Sequence, residues 1–155
     1  MPNSSTTMLF VCTGNTCRSP MAEELGRYLT RSLPDWAFES AGIFASPGSP
    51  ASATAQQVLE EKGLDLGGHR SRQLDASLLE GVDWVIPMTR GHEQMILETF
   101  SFPAERVKTL MSFSPAGPED VFDPFGGSLD TYRAIRDQIE GGLSDLILAV
   151  IQPSG

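Results

Sequence analysis

The first strong hydrophobic pattern along the chain is a continuous apolar run that ends at Cys12. Because the run is short and contains the β-forming residues Phe10 and Val11, it predicts a buried strand over residues 7–12. A glycine-containing loop over residues 13–18 follows this strand. Beyond the loop, apolar residues recur at intervals of three and four positions, which is typical of an amphipathic helix. The chain is therefore predicted to open with a strand, a loop and a helix.

The start of this first helix carries residue types that favour helix N-termini. Ser19 is the expected N-cap and Pro20 the expected first helical residue, because serine and proline are common at those two positions. The apolar face of the helix consists of Met21, Leu25, Tyr28 and Leu29.

Strand and helix patterns alternate along the rest of the chain. Gly63 is expected to end a helix, three prolines make the segment 112–127 irregular, and the Gly141-Gly142 pair weakens the last helix. Alternation of this kind implies a parallel sheet with helices on both faces, and ligands bind such sheets at the carboxyl ends of the strands. The predicted strands are 37–40, 84–88 and 107–110, and the predicted helices are 52–62, 75–80, 91–100 and 128–151.

Composition agrees with one folded domain, because 40% of the 155 residues are hydrophobic and 20% are charged. The net charge of −9 argues against nucleic acid as a partner, although an acidic protein can still contain a local anion site. The apolar run before Cys12 is too short to cross a bilayer, and residues 1–7 lack the Lys or Arg of a secretory leader. We therefore expect a cytoplasmic protein without a membrane partner.

The cysteine and histidine content argues against metal chemistry. The chain has two cysteines, Cys12 and Cys17, and two histidines, at spacings that no common zinc site uses. The loop at 13–18 also lacks the Gly-Lys-Ser/Thr ending of a nucleotide P-loop and the spaced glycines of a dinucleotide fold. We therefore expect neither a metal nor a cofactor.

The same loop has the composition of a phosphate-binding nest. Its amides can point inward, and the following helix N-terminus adds unpaired N–H groups and a positive dipole end. Gly14 is expected to permit a backbone shape that a Cβ resists, and Arg18 can hold two phosphoryl oxygens with its planar fork. Cys12 stands at the first position of the nest, where the nucleophilic thiolate is favoured. Ser19 is placed to donate a hydroxyl hydrogen bond to that sulfur.

In these features the chain resembles the low-molecular-weight protein tyrosine phosphatase family. The residues that carry the resemblance are 10–23, 40–42, 69–74, 88–89 and 123–127, which follow one another in the expected order. On this basis we expect a single domain over residues 1–155. Its fold is expected to be a three-layer α/β sandwich with a four-stranded parallel sheet, strand order 2-1-3-4, and helices on both faces.

The resemblance also implies roles for individual residues. Cys12 is implied as the nucleophile, Arg18 as the phosphate clamp and Asp123 as the general acid. Asp123 is the best acid candidate on residue grounds too, since it lies in a constrained proline-rich loop, whereas Glu119 and Asp120 are typical solvated charges.

Two further sets of residues follow from the same resemblance. One set shapes the loop through hydrogen bonds and comprises Asn15, Ser19, Ser40 and His69, with His69 bracing the loop rather than reacting. The other set is expected to contact the substrate and comprises Thr13, Gly14, Asn15, Thr16, Cys17, Ser19 and Phe125.

Two details of the sequence resemble the bacterial protein arginine phosphatases within this family. Position 16 is Thr, where tyrosine-specific members usually carry an apolar Ile, and Phe125-Gly126-Gly127 follows Asp123-Pro124 without a pair of tyrosines. A phosphoguanidinium group is planar, polar and cationic, so a neighbouring hydroxyl and carboxylate suit it better than an apolar wall. The expected substrates are therefore proteins phosphorylated on arginine, with inorganic phosphate as product and inhibitor.

Other activities fit the sequence less well. Tyrosine phosphatase activity is the main alternative, because it uses the same loop and acid. An arsenate reductase of this fold relays oxidation through further cysteines, and none follows Cys17. A non-catalytic phosphoresidue-binding module is expected to lose the nucleophile or the acid, and both are present here.

Cys17 allows two interpretations. It lies five residues after Cys12 on a curled loop, so it can trap the oxidised nucleophile as a disulfide before further oxidation. Alternatively, it is a small buried side chain that packs under the loop. The sequence leaves both open.

Overall fold

The computed structural model of the chain describes residues 6–115 and 117–151. The expectation that no secretory leader is present concerns mainly residues 1–5, which lie outside the described residues. Within the described ranges, none of the helices combines the length and the apolar character needed to span a bilayer.

Three parallel strands form the centre of the fold. Strands β1 (Thr6–Cys12), β2 (Trp36–Gly42) and β3 (Trp84–Pro87) are arranged in the order β2-β1-β3. In the register of the sheet, Cys12 pairs with Gly42 on one side of β1. All strands therefore end at one edge of the sheet, as a parallel arrangement requires, and the loop after β1 begins at that edge.

The fourth strand predicted at 107–110 is wrong, so the described residues form a sheet of order 2-1-3 rather than 2-1-3-4. Val107 makes a single isolated parallel bridge to Val85. Two 3₁₀ helices, Ala104–Arg106 and Leu110–Phe113, occupy the chain on either side of this bridge. Because only three residues remain between the helices, pairing cannot extend into a ladder.

The helices follow the predicted order with small shifts at their ends. Side-chain oxygens of Ser52, Asp75, Thr89 and Ser128 cap four of them by accepting a backbone N–H from the first turn. Gly63 adopts a positive φ of 75° just beyond the second helix, as expected of a residue that ends a helix. The helices are α1 (Arg18–Leu29), α2 (Ala53–Glu60), α3 (Ala76–Leu79), α4 (Arg90–Thr99) and α5 (Leu129–Leu146), and a π-helical turn (Ile147–Ile151) follows α5.

The predicted N-cap of α1 is wrong. Cys17 occupies the N-cap position, and its side chain makes no capping hydrogen bond, so Pro20 is the third helical residue instead of the first. The Ser19 hydroxyl is engaged elsewhere, by Cys12 and Asn15. The capping preference of serine is therefore overridden by its contacts in the loop.

The glycine pair in α5 does not interrupt that helix. The helix runs unbroken through Gly141 and Gly142. A Cβ on Gly142 would lie 2.9 Å from the sulfur of Met111 and 3.1 Å from Cγ of Leu110. Gly142 therefore allows α5 to approach the 3₁₀ helix Leu110–Phe113 closely, which offsets its low helix propensity.

The core lies on both faces of the sheet, which confirms the expected three-layer arrangement. Side chains alternate along β1, so Met8, Phe10 and Cys12 face one side, and Leu9 and Val11 face the other. The Cys12 side packs against α1, α2 and α5, and the Leu9 side packs against α3 and α4. Cys12 is consequently held at the end of a strand that is buried from Thr7 onwards.

Candidate active site

The loop between β1 and α1 holds the thiol of Cys12 at the carboxyl edge of the sheet. Cys12 is 2% exposed, and its Sγ lies 2.9 Å from Oγ of the buried Ser19. The hydrogen bond predicted between these two residues is therefore present in the structure. A hydroxyl donor at this distance stabilises negative charge on the sulfur.

Arg18 is buried next to Cys12, on the cavity described below, and its side chain contacts three parts of the site. Its Nη1 donates to the backbone carbonyl of Val121 at 2.9 Å, and its Nη2 donates to Oγ1 of Thr13 at 3.4 Å. The same Nη2 is 3.9 Å from Oδ2 of Asp123. Arg18 thus links the loop that carries Cys12 to the loop that carries Asp123.

Asp123 and Phe125 form the exposed side of the cavity. The Asp123 side chain is 55% exposed, and its Oδ1 accepts the backbone N–H of Phe125 at 3.1 Å. The ring of Phe125 is 78% exposed. The cavity has a volume of about 230 Å³ and is lined by Cys12, Thr13, Gly14, Thr16, Cys17, Arg18, Asp123 and Phe125.

The unusual backbone conformation of the loop lies at Asn15 and not at Gly14, where the sequence predicted it. Asn15 has a positive φ of 59°, whereas Gly14 is outside the left-handed region. A Cβ on Gly14 would meet nothing closer than Thr16 Oγ1 at 3.8 Å. The unusual backbone shape of the loop therefore belongs to Asn15, and asparagine tolerates that conformation better than most residues.

Buried Asn15 makes four polar contacts with the loop and its surroundings, three through its side-chain amide and one through its backbone carbonyl. Its Nδ2 donates to Oγ of Ser19 at 2.8 Å and to Oγ of Ser40 at 3.0 Å. Its Oδ1 accepts the backbone N–H of Arg72 at 2.8 Å, and its backbone carbonyl is 2.7 Å from Nε2 of His69. These contacts fix both the amide orientation and the curl of the loop.

Ser40 and His69 lie behind the loop at residues 13–18 rather than on the cavity that holds Cys12. Both line a second, polar cavity of about 430 Å³. The Ser40 hydroxyl donates to Glu23 in that region at 2.5 Å. The structure therefore places Ser40 and His69 where they contact the loop through Asn15.

Gly42 is a site residue that sequence reasoning did not single out. A Cβ at this position would lie 2.5 Å from the carbonyl oxygen of Thr13 and 3.0 Å from the backbone nitrogen of Asn15. The end of β2 therefore packs directly against the backbone of the loop at residues 13–18. A glycine at the carboxyl end of a strand often marks a close approach of another backbone, and this feature could have identified Gly42 from the sequence.

Cys17 lies under the loop with its sulfur among hydroxyl groups. Its Sγ is 3.4 Å from Oγ of Ser52 and 3.4 Å from the hydroxyl of Tyr132. Burial, followed by the hydrogen bond with Cys17, raises the pKa of Tyr132 to about 12, so this hydroxyl stays neutral. Both cysteines are free thiols and both line the cavity.

His92 is the second site residue that the sequence did not reveal. It lies in the first turn of α4, where its backbone N–H donates to Oγ1 of Thr89 at 3.0 Å. Its Nε2 is 2.9 Å from Oγ1 of Thr13. Burial, and then the nearby Arg18 charge, lower the pKa of His92 to about 4, so the ring is neutral near pH 7. In the sequence, the position of His92 in the first turn of a helix that follows a strand could have suggested its role.

Within the ranges 6–115 and 117–151, no group of three or more His, Cys, Asp or Glu side chains is arranged to hold a metal ion. Positive charge at the cavity comes from Arg18 and the N-terminus of α1. The arrangement can bind a phosphoryl group, present a thiol to it and protonate a leaving group.

Comparisons with known proteins agree with this geometry. The family model described as low molecular weight phosphotyrosine protein phosphatase matches residues 7–153. A protein-arginine-phosphatase of Geobacillus stearothermophilus is 46% identical over 133 residues, covering 86% of this chain and 88% of that protein. A protein-arginine-phosphatase of Bacillus subtilis (strain 168) is 43% identical over 140 residues, covering 90% and 93% respectively. A solved YwlE arginine phosphatase, a cysteine-to-serine mutant with a phosphorylated active-site serine, has a TM-score of 0.88 at 39% identity, covering 95% and 97%.

Proposed function

This chain belongs to the low-molecular-weight phosphotyrosine protein phosphatase family, and from that membership we propose that it is a cysteine-dependent phosphatase acting on phosphoarginine in proteins. The observation that carries the proposal is the cavity in which the Cys12 thiol, the Arg18 guanidinium and the Asp123 carboxylate converge. The names of the two relatives at 46% and 43% identity support arginine as the phosphorylated residue.

In the first step, the Cys12 thiolate attacks phosphorus in line with the leaving group. An S–P bond forms while the P–N bond of phosphoarginine breaks, and Asp123 donates its proton to the departing nitrogen. Arg18 and the loop amides hold the equatorial phosphoryl oxygens. The phosphorylated serine of the similar arginine phosphatase mutant supports a covalent phosphoenzyme of this kind.

In the second step, water replaces the sulfur on phosphorus. Asp123, now a carboxylate, takes a proton from the attacking water, the S–P bond breaks, and inorganic phosphate leaves. The electron pair of that bond returns to Cys12 as a thiolate, which the hydroxyl of Ser19 at 2.9 Å stabilises. In this proposal, the second step uses water, Cys12, Asp123 and Ser19.

Thr16 is proposed as the residue that selects the substrate. It lies on the wall of the cavity with Asp123 and Phe125, where its hydroxyl can accept a hydrogen bond from the N–H groups of a phosphoguanidinium. One such bond to a group that is otherwise unsatisfied contributes about 1–3 kcal/mol, or about one to two powers of ten in selectivity.

The test compares kcat/KM for a phosphoarginine peptide with that for a phosphotyrosine peptide of the same flanking sequence. We expect wild type and Thr16→Ser to prefer phosphoarginine, because both carry a hydroxyl, and Thr16→Ile to shift towards phosphotyrosine. A wild-type preference for phosphotyrosine would reject the arginine assignment and leave the tyrosine phosphatase alternative. Retained turnover in Cys12→Ser would reject the phosphocysteine mechanism for either substrate.

We also propose that residues 1–155 act as one phosphatase domain and that phosphorylated proteins are its partners. Inhibition by inorganic phosphate, a cytoplasmic location and the lack of a nucleic acid partner stay predictions from the sequence.

A further inference from the structure

Thr13, on the rim of the catalytic cavity, is contacted by two side chains that come from different parts of the fold. Arg18 Nη2 lies 3.4 Å from Thr13 Oγ1, and His92 Nε2 lies 2.9 Å from the same oxygen. We propose that His92 is a positioning residue, which holds the Thr13 hydroxyl so that its hydrogen donates into the cavity, towards a bound phosphoryl oxygen. The inference rests on the proposed function and adds a phosphate donor and its support to that site.

Counting donors and acceptors assigns the direction of each bond. Arg18 can only donate, so Thr13 Oγ1 accepts from it. His92 is buried, and its Nδ1 has no hydrogen-bond partner among the described residues. If Nε2 accepted the Thr13 hydrogen, the proton of the neutral ring would reside on Nδ1 as a buried N–H without an acceptor.

The other tautomer avoids that buried donor. With the proton on Nε2, His92 donates to Thr13, and Nδ1 keeps only an unused lone pair. Orphaned buried N–H groups are rarer in proteins than under-satisfied acceptors, and a buried donor without a partner keeps its full desolvation penalty. The structure therefore favours the Nε2–H tautomer of His92.

Thr13 Oγ1 then accepts two hydrogen bonds, and its own hydrogen is free of both partners. Thr13 is exposed and lines the cavity with Cys12 and Arg18, so the cavity is where this hydrogen finds an acceptor. A hydroxyl donor held in advance on the phosphate site stabilises the charge of the phosphoryl oxygens without reorganisation.

Two further observations fit this role. The first turn of α4 fixes the backbone of His92, because Thr89 caps the helix by accepting the His92 N–H. The neutral state of the ring follows from burial and from the neighbouring Arg18, which lower the pKa of His92 to about 4. His92 therefore presents one N–H near pH 7, directed at Thr13.

The test uses His92→Leu, which removes the donor, and His92→Gln, whose side-chain amide nitrogen can replace Nε2. Thr13→Val and the double variant Thr13→Val/His92→Leu complete a mutant cycle, and Gln94→Ala, an exposed residue on the same helix, is the control. Two quantities are measured for each folded variant: kcat with para-nitrophenyl phosphate, and Kd for inorganic phosphate by calorimetry.

We expect His92→Leu and Thr13→Val each to lower kcat by about 10-fold to 100-fold, the loss expected when one hydrogen bond to a charged group is removed, and to weaken phosphate binding. The double variant should be no worse than Thr13→Val, since His92 acts through Thr13. His92→Gln should recover most of the activity that His92→Leu loses, and Gln94→Ala should match wild type.

Multiplicative losses in the double variant, or unchanged kcat and Kd in His92→Leu, would overturn the inference. Thr13→Val changes an exposed residue, so it reports on the hydroxyl even where His92→Leu does not fold. If wild type binds phosphate but does not hydrolyse the substrate, the proposed function fails. The Kd values for phosphate in the mutant cycle then still decide the role of His92.

Discussion

The carboxylate of Asp123 lies 3.9 Å from the guanidinium of Arg18, although the first side chain is half-exposed and the second is buried. The short distance is supported by the hydrogen bond from Arg18 to the carbonyl of Val121, two residues before the acid. In the proposed mechanism, Asp123 therefore approaches the phosphoryl group from the solvent side, where the leaving group departs.

Asp123→Asn is expected to lower kcat/KM, which reports the first step and not the hydrolysis step that both substrates share, by about 10²–10⁴-fold with phenyl phosphate. General acid catalysis contributes about this much when the leaving group is poor. The loss should be much smaller with para-nitrophenyl phosphate, whose leaving group needs little protonation. Steady-state kinetics with both substrates measure the difference. Asp120→Asn, on the same loop, is the control, and equal losses with both substrates would argue against proton donation by Asp123.

Cys17→Ala is expected to change recovery after oxidation without removing the nucleophile. In wild type, peroxide converts the Cys12 thiolate to a sulfenic acid, which Cys17 can attack to give a disulfide and water. A thiol reductant should then restore phosphatase activity. In Cys17→Ala the sulfenic acid over-oxidises, so less activity should return. Identical recovery in the two proteins would leave Cys17 as a packing residue beneath the loop.

Gly42→Ala is expected to lower both stability and kcat, because its Cβ would lie 2.5 Å from the Thr13 carbonyl oxygen. Overpacking of this kind costs about 1–3 kcal/mol, and relief requires the catalytic loop to move. Urea denaturation and phosphatase kinetics measure the two effects. Gly81→Ala is the matched control, since a Cβ there meets nothing within 4 Å. A Gly42→Ala protein with wild-type kcat would show that the loop tolerates the displacement.

The stability of the fold is expected to fall as the pH drops from about 6.5 to about 4, because of His92. Its pKa is lowered to about 4 in the folded state, against about 6.5 in an unfolded chain. The unfolded state therefore binds the proton more readily, so the His92 contribution is full above pH 6.5 and is lost on acidification. The whole effect is on the order of 3 kcal/mol.

Denaturation at a series of pH values tests this effect, and His92→Gln should flatten the slope between pH 6.5 and 4. Glu61 provides a separate window, because Arg133, followed by Arg136, lowers its pKa to about 2. Its contribution is present above pH 4.5 and is lost as the pH falls towards 2. Glu61→Gln should therefore leave the pH dependence of stability between pH 6.5 and 4.5 unchanged. A smaller slope in that range would show that Glu61, and not His92, causes the effect.

Much of the fold was predictable because it depends on local pattern. The apolar run that ends at Cys12 identifies the central strand, since few other structures bury consecutive residues on both faces. The fourth strand was not predictable in the same way, because Val107 has the right residue type but the flanking 3₁₀ helices shorten its pairing to one bridge. Strand length in this region is decided by neighbours that lie outside the local pattern.

The site shows the same division between local and distant information. The pairing of Cys12 with Ser19 was predictable from a seven-residue spacing and is present at 2.9 Å. The contacts of His92 and Gly42 with the loop join residues far apart in the chain, and a single sequence contains no record of such proximity. The capping prediction for Ser19 was wrong for a related reason, since its hydroxyl bonds to Cys12 and Asn15 instead.

One guanidinium nitrogen of Arg18 donates to the carbonyl of Val121 at 2.9 Å, so the proposed phosphate clamp also anchors the loop that carries the proposed acid. A lysine at position 18 loses the planar fork and leaves a buried carbonyl without its donor. Kinetic losses in Arg18→Lys therefore combine two defects, weaker phosphate binding and a displaced acid. The phosphate contact and the position of the acid loop therefore cannot be changed independently at this residue.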